Sequence, residues 1–162
     1  MNPAQIVATG PEFIEEGVRG IEPVVEEMIT SATEEIQMLA YLLRPSAKPI
    51  LGLLNDAARR GIRITIIMNS IQSQPEVIRK WLKNISSDSP LVKVIDFKRQ
   101  RGALLHAKVL VVDRKKALVG SANFSWGGMV GNYEVGVTLE GECAWKMACI
   151  VDRLASVESN GD

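Results

Sequence analysis

Histidine occurs once in these 162 residues, at position 106, and cysteine twice, at 143 and 149. Two cysteines make no disulfide framework, and six apart on one helix they point to different faces, so they cannot bridge within it. One histidine without a Cys-x-x-Cys pair leaves no ligand set for zinc, and neither a metal nor another cofactor is expected. This cysteine usage fits a reducing cytoplasm, which is the expected location. No apolar run approaches twenty residues, so neither a transmembrane helix nor stable membrane association is expected. The segment from Met1 to Pro11 has no basic start and no continuous apolar stretch, and it does not read as a signal peptide. Aromatic residues are only 5% of the chain, which gives little support for stacking on single-stranded nucleic acid. Internal repeats and low-complexity segments are absent too. The remainder is 46% hydrophobic and 23% charged, an ordinary globular composition with enough length for one domain over residues 1–162 and a real core.

The zero net charge conceals an asymmetry. Residues 1–36 carry eight acidic side chains against Arg19 alone. Residues 93–116 carry Lys93, Lys98, Arg99, Arg101, Lys108, Arg114, Lys115 and Lys116 against Asp96 and Asp113. A charge run is usually a solvated face; beside an anion site it would also attract the anion.

Along the chain, residues 1–10 read as a loose tail. Residues 11–20 have helical spacing in Phe13, Ile14 and Val18, weakened by Gly17 and Gly20. Pro23 fits a first helical turn, followed by the stripe Val25, Met28, Ile29 and Ala32. Ile36 to Leu43 is apolar almost throughout, as in a central strand covered on both faces, and Pro45 ends it. Pro49 to Arg60 predicts a helix stopped by Gly61. Ile62–Met68 predicts a strand, Pro75–Ile85 a helix and Val92–Phe97 a strand. Lys98 to Gly102 is a basic loop. Phe124–Gly131 is a glycine-rich loop, Tyr133–Leu139 a strand, and Ala144 to Leu154 stripe a last helix, with 158–162 a frayed end. The alternation predicts an α/β fold: a mixed β-sheet flanked by helices on both faces.

The informative stretch is Leu104 to Asn123. His106 and Lys108 are two apart, which in a strand places both on one face, with Ala107, Val109 and Val111 on the other. Lys115-Lys116 predicts a turn, and Ala117–Val119 a return strand. Gly120-Ser121-Ala122-Asn123 follows, where small and amide residues can bend toward the imidazole. One face then gathers an imidazole, an ammonium, a hydroxyl and a carboxamide, a set suited to a bound phosphate. A lone histidine beside a lysine would otherwise mean only a half-exposed strand.

The complete string reads His-x-Lys, four residues, Asp, six residues, Gly-Ser-x-Asn. It resembles the signature of the phospholipase D superfamily, the HKD motif, with every defining position filled. The resemblance implies an α/β sandwich and metal-independent phosphodiester chemistry. Family enzymes use two motif copies, so a chain with one implies a homodimer with a shared site. Carried over by position, His106 matches the nucleophile that forms a phosphohistidine. A second copy's His106 would protonate the leaving oxygen and then activate water. Lys108 and Asn123 match the residues that hold non-bridging oxygens, and Ser121 the serine beside them. In such proteins the Asp matched by Asp113 tends to be structural. Gly120 serves close backbone approach. Glu134 matches an acidic residue that often supports the histidine, or is simply a polar residue entering a strand; spacing alone leaves both readings open. Lys98, Arg99, Arg101, Lys115 and Lys116 would guide a polyanion. A short chain with a basic rim resembles the bacterial nuclease branch more than the lipases, so a nuclease acting on DNA or RNA is expected. The alternatives are a lipid phosphodiesterase or phosphatidyl transferase, and a dimeric nucleic-acid-binding module with little catalysis.

Overall fold

A computed structural model describes residues 4–98 and 102–159. The elements run β1 (Ala4–Thr9), α1 (Pro11–Glu15), α2 (Ile21–Ser31), β2 (Glu35–Ala40), α3 (Lys48–Arg59), β3 (Arg63–Asn69), α4 (Glu76–Asp88), β4 (Val92–Phe97), β5 (Val109–Val112), β6 (Lys116–Gly120), β7 (Glu134–Glu140) and α5 (Glu142–Ser159). The strands form one seven-stranded sheet in the order β1-β7-β6-β5-β2-β3-β4. β2, β3 and β4 are parallel, and every other pairing is antiparallel.

Covered on both faces, β2 and β3 are almost continuously apolar, as parallel strands must be. On one face Val25, Met28, Ile50, Leu54, Ile78 and Leu82 of α2, α3 and α4 pack against Ile36, Ile64, Leu110 and Leu118. On the other, Ala144, Ala148 and Val151 of α5 pack against Leu39, Ile67, Val109 and Val111. The mixed α/β sandwich with helices on both faces is therefore the observed fold, with three long helices on one side and one on the other. The C-terminal carbonyls of α2, which have no partner within the helix, accept from the Arg60 guanidinium: Ile29 O at 3.0 Å, Thr30 O at 2.9 Å and Ala32 O at 3.3 Å. Cys143 and Cys149 are free on α5. Among the described residues no helix is long and apolar enough to cross a membrane.

Four local expectations are corrected. Residues 4–9 are not a loose tail but an edge strand, laddered along β7 from Ala4↔Leu139 to Thr9↔Glu134. The helix continues through Ser159, within the stretch read as frayed. β2 ends at Ala40 rather than Leu43, so Tyr41 leaves the sheet. The turn after β5 is Asp113–Lys115, where Asp113 (φ 52°) and Arg114 (φ 57°) both adopt the left-handed conformation of a tight hairpin and the Lys115 N–H returns to Val112 O at 3.0 Å.

The topology defines one functional end. β2 and β3 point their carboxyl ends toward it, α2, α3 and α4 begin there, and the antiparallel β5, β6 and β7 bring there the start of β5, the end of β6 and the start of β7. Ligands of open α/β sheets bind at such strand ends, and the helix N-termini favour an anion.

Candidate active site

His106 and Lys108 precede β5 instead of lying within it, because the ladder with β2 begins only at Leu39↔Val109. Their proximity survives this correction. Lys108 continues the strand's alternation onto the Leu110 side, and its carbonyl accepts one more bond, from Gly120 N at 3.3 Å. The Lys108 Nζ lies 3.0 Å from Nδ1 and 3.3 Å from Nε2 of His106. The lone-pair directions of those two nitrogens diverge, so near-equal distances mean contact with the ring rather than a bond along one lone pair. The ammonium also donates to His106 O at 2.7 Å, fixing backbone as well as ring. Lys108 is buried, at 8% exposure, while His106 is exposed. Burial pushes the Lys108 ammonium below the usual lysine range, and the Glu134 carboxylate pulls it back up. A cation held in place beside an exposed imidazole is a ready seat for an anion.

Around this pair the strand ends supply the rest. Ser121 Oγ donates to the Glu134 carboxylate and accepts from Val135 N at 3.2 Å. Asn132 Nδ2 donates to the other Glu134 oxygen at 3.3 Å. Glu134 therefore bonds the serine and acts on Lys108 through space; no hydrogen bond joins it to His106 among the described contacts. The expected carboxylate-on-imidazole contact is replaced by carboxylate-on-hydroxyl, because β7 approaches β6 and not the segment before β5. Gly120 permits that approach: a Cβ there would lie 2.8 Å from both Gly136 Cα and Val135 O. Gly128 does the same for Asn123, where a Cβ would sit 2.1 Å from Asn123 O. The Asn123 Oδ1 is buried without a hydrogen-bond partner among the described residues.

Asp113 sits at the opposite end of β5. Its carboxylate accepts from Thr33 N (2.9 Å), Thr33 Oγ1 (2.8 Å), Glu34 N (2.8 Å) and Glu35 N (2.9 Å), clamping the α2–β2 connection. Burial alone would raise its pKa, but these bonds outweigh it and hold the carboxyl below its ordinary range. A depressed folded pKa stabilises the fold above the unfolded value and loses that contribution as pH falls through the folded one. Asp113→Ala should cost about 2–4 kcal/mol in urea unfolding at pH 7, because three backbone amides lose a charged acceptor. The gap to wild type should shrink steadily below pH 4. An unchanged midpoint at pH 7 would show that the clamp is dispensable.

Lys115 and Lys116 share that far end, and the expectation that they rim the motif is wrong. Lys116 Nζ lies 3.4 Å from Glu27 and Lys115 Nζ 3.9 Å from Glu34. Arg114 pairs with Glu35 and, at 2.7 Å, with Asp152. Glu35, Glu34 and Glu27 thus neutralise Arg114, Lys115 and Lys116 across the fold, and these three cations are not presented at the motif. Lys98 follows β4 and pairs with Asp96 at 3.1 Å. Arg99 and Arg101 lie outside the described residues.

Sequence reading missed a second set of residues. The Tyr41 ring lies 4.5 Å from the His106 ring, tilted by 50°, with Lys108 Nζ 5.3 Å from its centre. Buried Gln74 donates to Tyr41 O (3.2 Å) and Asn69 O (3.0 Å) and accepts from Leu43 N (3.3 Å). The Asn69 side chain accepts from Leu105 N at 2.9 Å, one residue before the histidine. These amides tie the ends of β2 and β3 to the irregular segment that carries His106. Thr9 Oγ1 donates to Asn132 O at 2.5 Å and accepts from Glu134 N at 3.0 Å. Each of these residues follows or closes a strand, which is the signal that could have marked them.

The profile of the PLD-like domain of cardiolipin synthase matches residues 25–154. The chain belongs to the phospholipase D superfamily. Within that superfamily, it is 31% identical over 141 residues to the DISARM protein DrmC of Bacillus paralicheniformis, covering 85% of this chain and 57% of that protein. It is 27% identical over 150 residues to cardiolipin synthase A of Buchnera aphidicola, covering 91% of this chain and 29% of that protein. The chain thus spans little more than half the length of one curated relative and under a third of the other. The crystal structure of the phospholipase D family member Nuc from Salmonella typhimurium superposes with a TM-score of 0.72 at 22% identity, over 94% of this chain and 93% of that one, and so shares its fold.

Proposed function

We propose that this protein is a metal-independent phosphodiesterase, a nuclease acting on DNA or RNA through a covalent phosphohistidine, with one site shared between two subunits. The observation that carries the reading is the buried Lys108 ammonium against the exposed His106 ring, at the sheet end where three helices begin. A His106 nitrogen attacks phosphorus while the bond to the leaving oxygen breaks. His106 of the partner subunit gives that oxygen its proton. Water then attacks the phosphohistidine, the same partner imidazole takes the water's proton, and the N–P bond breaks. Lys108 and the N–H donors of the Asn123 amide hold the non-bridging oxygens, with Ser121 and Glu134 beside them. Lys98, Arg99 and Arg101, a few residues before His106 in sequence, add positive charge for a polyanion. The reading places the protein in the cytoplasm.

A second reading, phospholipid phosphodiesterase or phosphatidyl transferase, is favoured by the matched cardiolipin synthase profile. One assay separates the two: incubation with single- and double-stranded DNA, RNA and phosphatidylglycerol, all in excess chelator. The expected result is polynucleotide cleavage that persists in chelator. Complete loss restored by magnesium would sink the metal-independent mechanism, and turnover of the lipid alone would establish the second reading.

A further inference from the structure

Among the described residues most charged side chains near the sheet ends are paired, but two cations at the site end are not. Arg44 and Lys48 are exposed, lie on the connection from β2 to α3, and meet no carboxylate. Lys48 is the first residue of α3, whose first turn holds no acidic residue. A lysine there opposes the helix dipole, so the first turn of α3 adds positive potential to positive charge. An anion docked alongside would relieve that repulsion.

This connection is zipped to the glycine-rich loop after β6. Arg44 N donates to Phe124 O at 3.0 Å, and Trp126 N donates to Ser46 Oγ at 3.0 Å. These bonds hold Trp126, three residues beyond Asn123, against the segment that carries both cations. Its indole is 58% exposed, yet it is not loose. The ring lies on Gly131, where a Cβ would come within 2.3 Å of a ring carbon. The ring is held against Gly131 and much of the residue is open to solvent. An indole fixed this way, on a segment bonded to the one that carries two unpaired cations, has the make-up of a stacking platform on a phosphate track.

We infer that a single polynucleotide strand enters the site along Arg44 and Lys48 with one unpaired base stacked on Trp126. The inference rests on the nuclease reading and narrows its substrate to unpaired strands, since a base inside a duplex has no free face to offer.

The test is binding of labelled oligomers to the His106→Asn protein, which prevents cleavage, with a single-stranded DNA, its duplex and an abasic sugar-phosphate oligomer of equal length. Trp126→Ala should weaken single-strand binding about tenfold, leave the abasic oligomer within about twofold, and leave sedimentation unchanged. Trp126→Phe should restore most of the loss. Gly131→Ala, which pushes the ring off its seat, should repeat the alanine result. Arg44→Ala with Lys48→Ala should weaken both single-stranded oligomers and lower the salt slope of log K by about 1.4. Equal loss on the abasic oligomer, or duplex bound as tightly as single strand, overturns the inference while leaving nuclease activity intact. A Trp126→Ala protein that falls apart in sedimentation also overturns it, because the indole then belongs to a contact between copies. Failure of the wild-type chain to cleave any polynucleotide overturns the nuclease reading instead.

Discussion

His106→Asn should remove turnover and leave the fold in place. The side chain is exposed and no second histidine exists in the chain to replace it, so the loss is of chemistry and not of core. Loss of a covalent nucleophile costs about four orders of magnitude or more in kcat. Single-turnover cleavage of a labelled oligonucleotide measures this directly, with circular dichroism and urea unfolding matched to wild type. The wild-type protein, quenched in base during turnover, should carry an acid-labile phosphoryl group that maps to His106. Lys108→Met should impair the same step while leaving His106 available, because the ammonium contacts the ring and would also hold the phosphate. Variant turnover of roughly a hundredth of wild type would place the nucleophile elsewhere.

A mixture of wild-type and His106→Ala chains, exchanged to equilibrium in equal amounts, keeps about a quarter of the all-wild-type activity. That is the fraction of dimers with two wild-type chains when one site needs both. Independent sites would keep about half. The expectation follows from the proton inventory of one subunit. Double displacement needs a nucleophile and a separate donor to the leaving oxygen. Glu134 already accepts from Ser121 and Asn132, and Lys108 is occupied as a cation against His106. A second imidazole would fill the role, and two-fold symmetry would supply it without further sequence. Sedimentation of the mixture verifies that exchange has occurred before activity is read. A half-active mixture, or a fully active monomer, refutes the shared site.

The fold class was legible because its causes are local. Apolar runs bounded by proline and glycine place β3 and β4 within a residue of their observed limits, and α4 within three. The pairing of His106 with Lys108 was legible for the same reason, since two residues of extended chain leave the side chains adjacent even outside a strand. Asp113 carried a structural expectation, and its four accepted hydrogen bonds supply the cause.

Charge placement was not legible. Lys115 and Lys116 are within ten residues of His106 in sequence, but β5 carries them to the opposite end of the sheet, where Glu34 and Glu27 meet them. The segment of Arg44 and Lys48 and that of Trp126, with Ser46 and Trp126 80 residues apart in the chain, come together only because β2 and β6 both end on the same side. Tyr41, Asn69 and Gln74 escaped for a related reason. Their backbone partners sit on other strands, and pairing between strands is set by the burial of whole faces, not by the residues that happen to stand at the ends. The sequence by itself determined the α/β elements and the contents of the motif. Only the tertiary structure decided which cations, amides and rings surround that motif, because strand order and strand direction bring distant residues to one end of the sheet, and neither is encoded by any single stretch of chain.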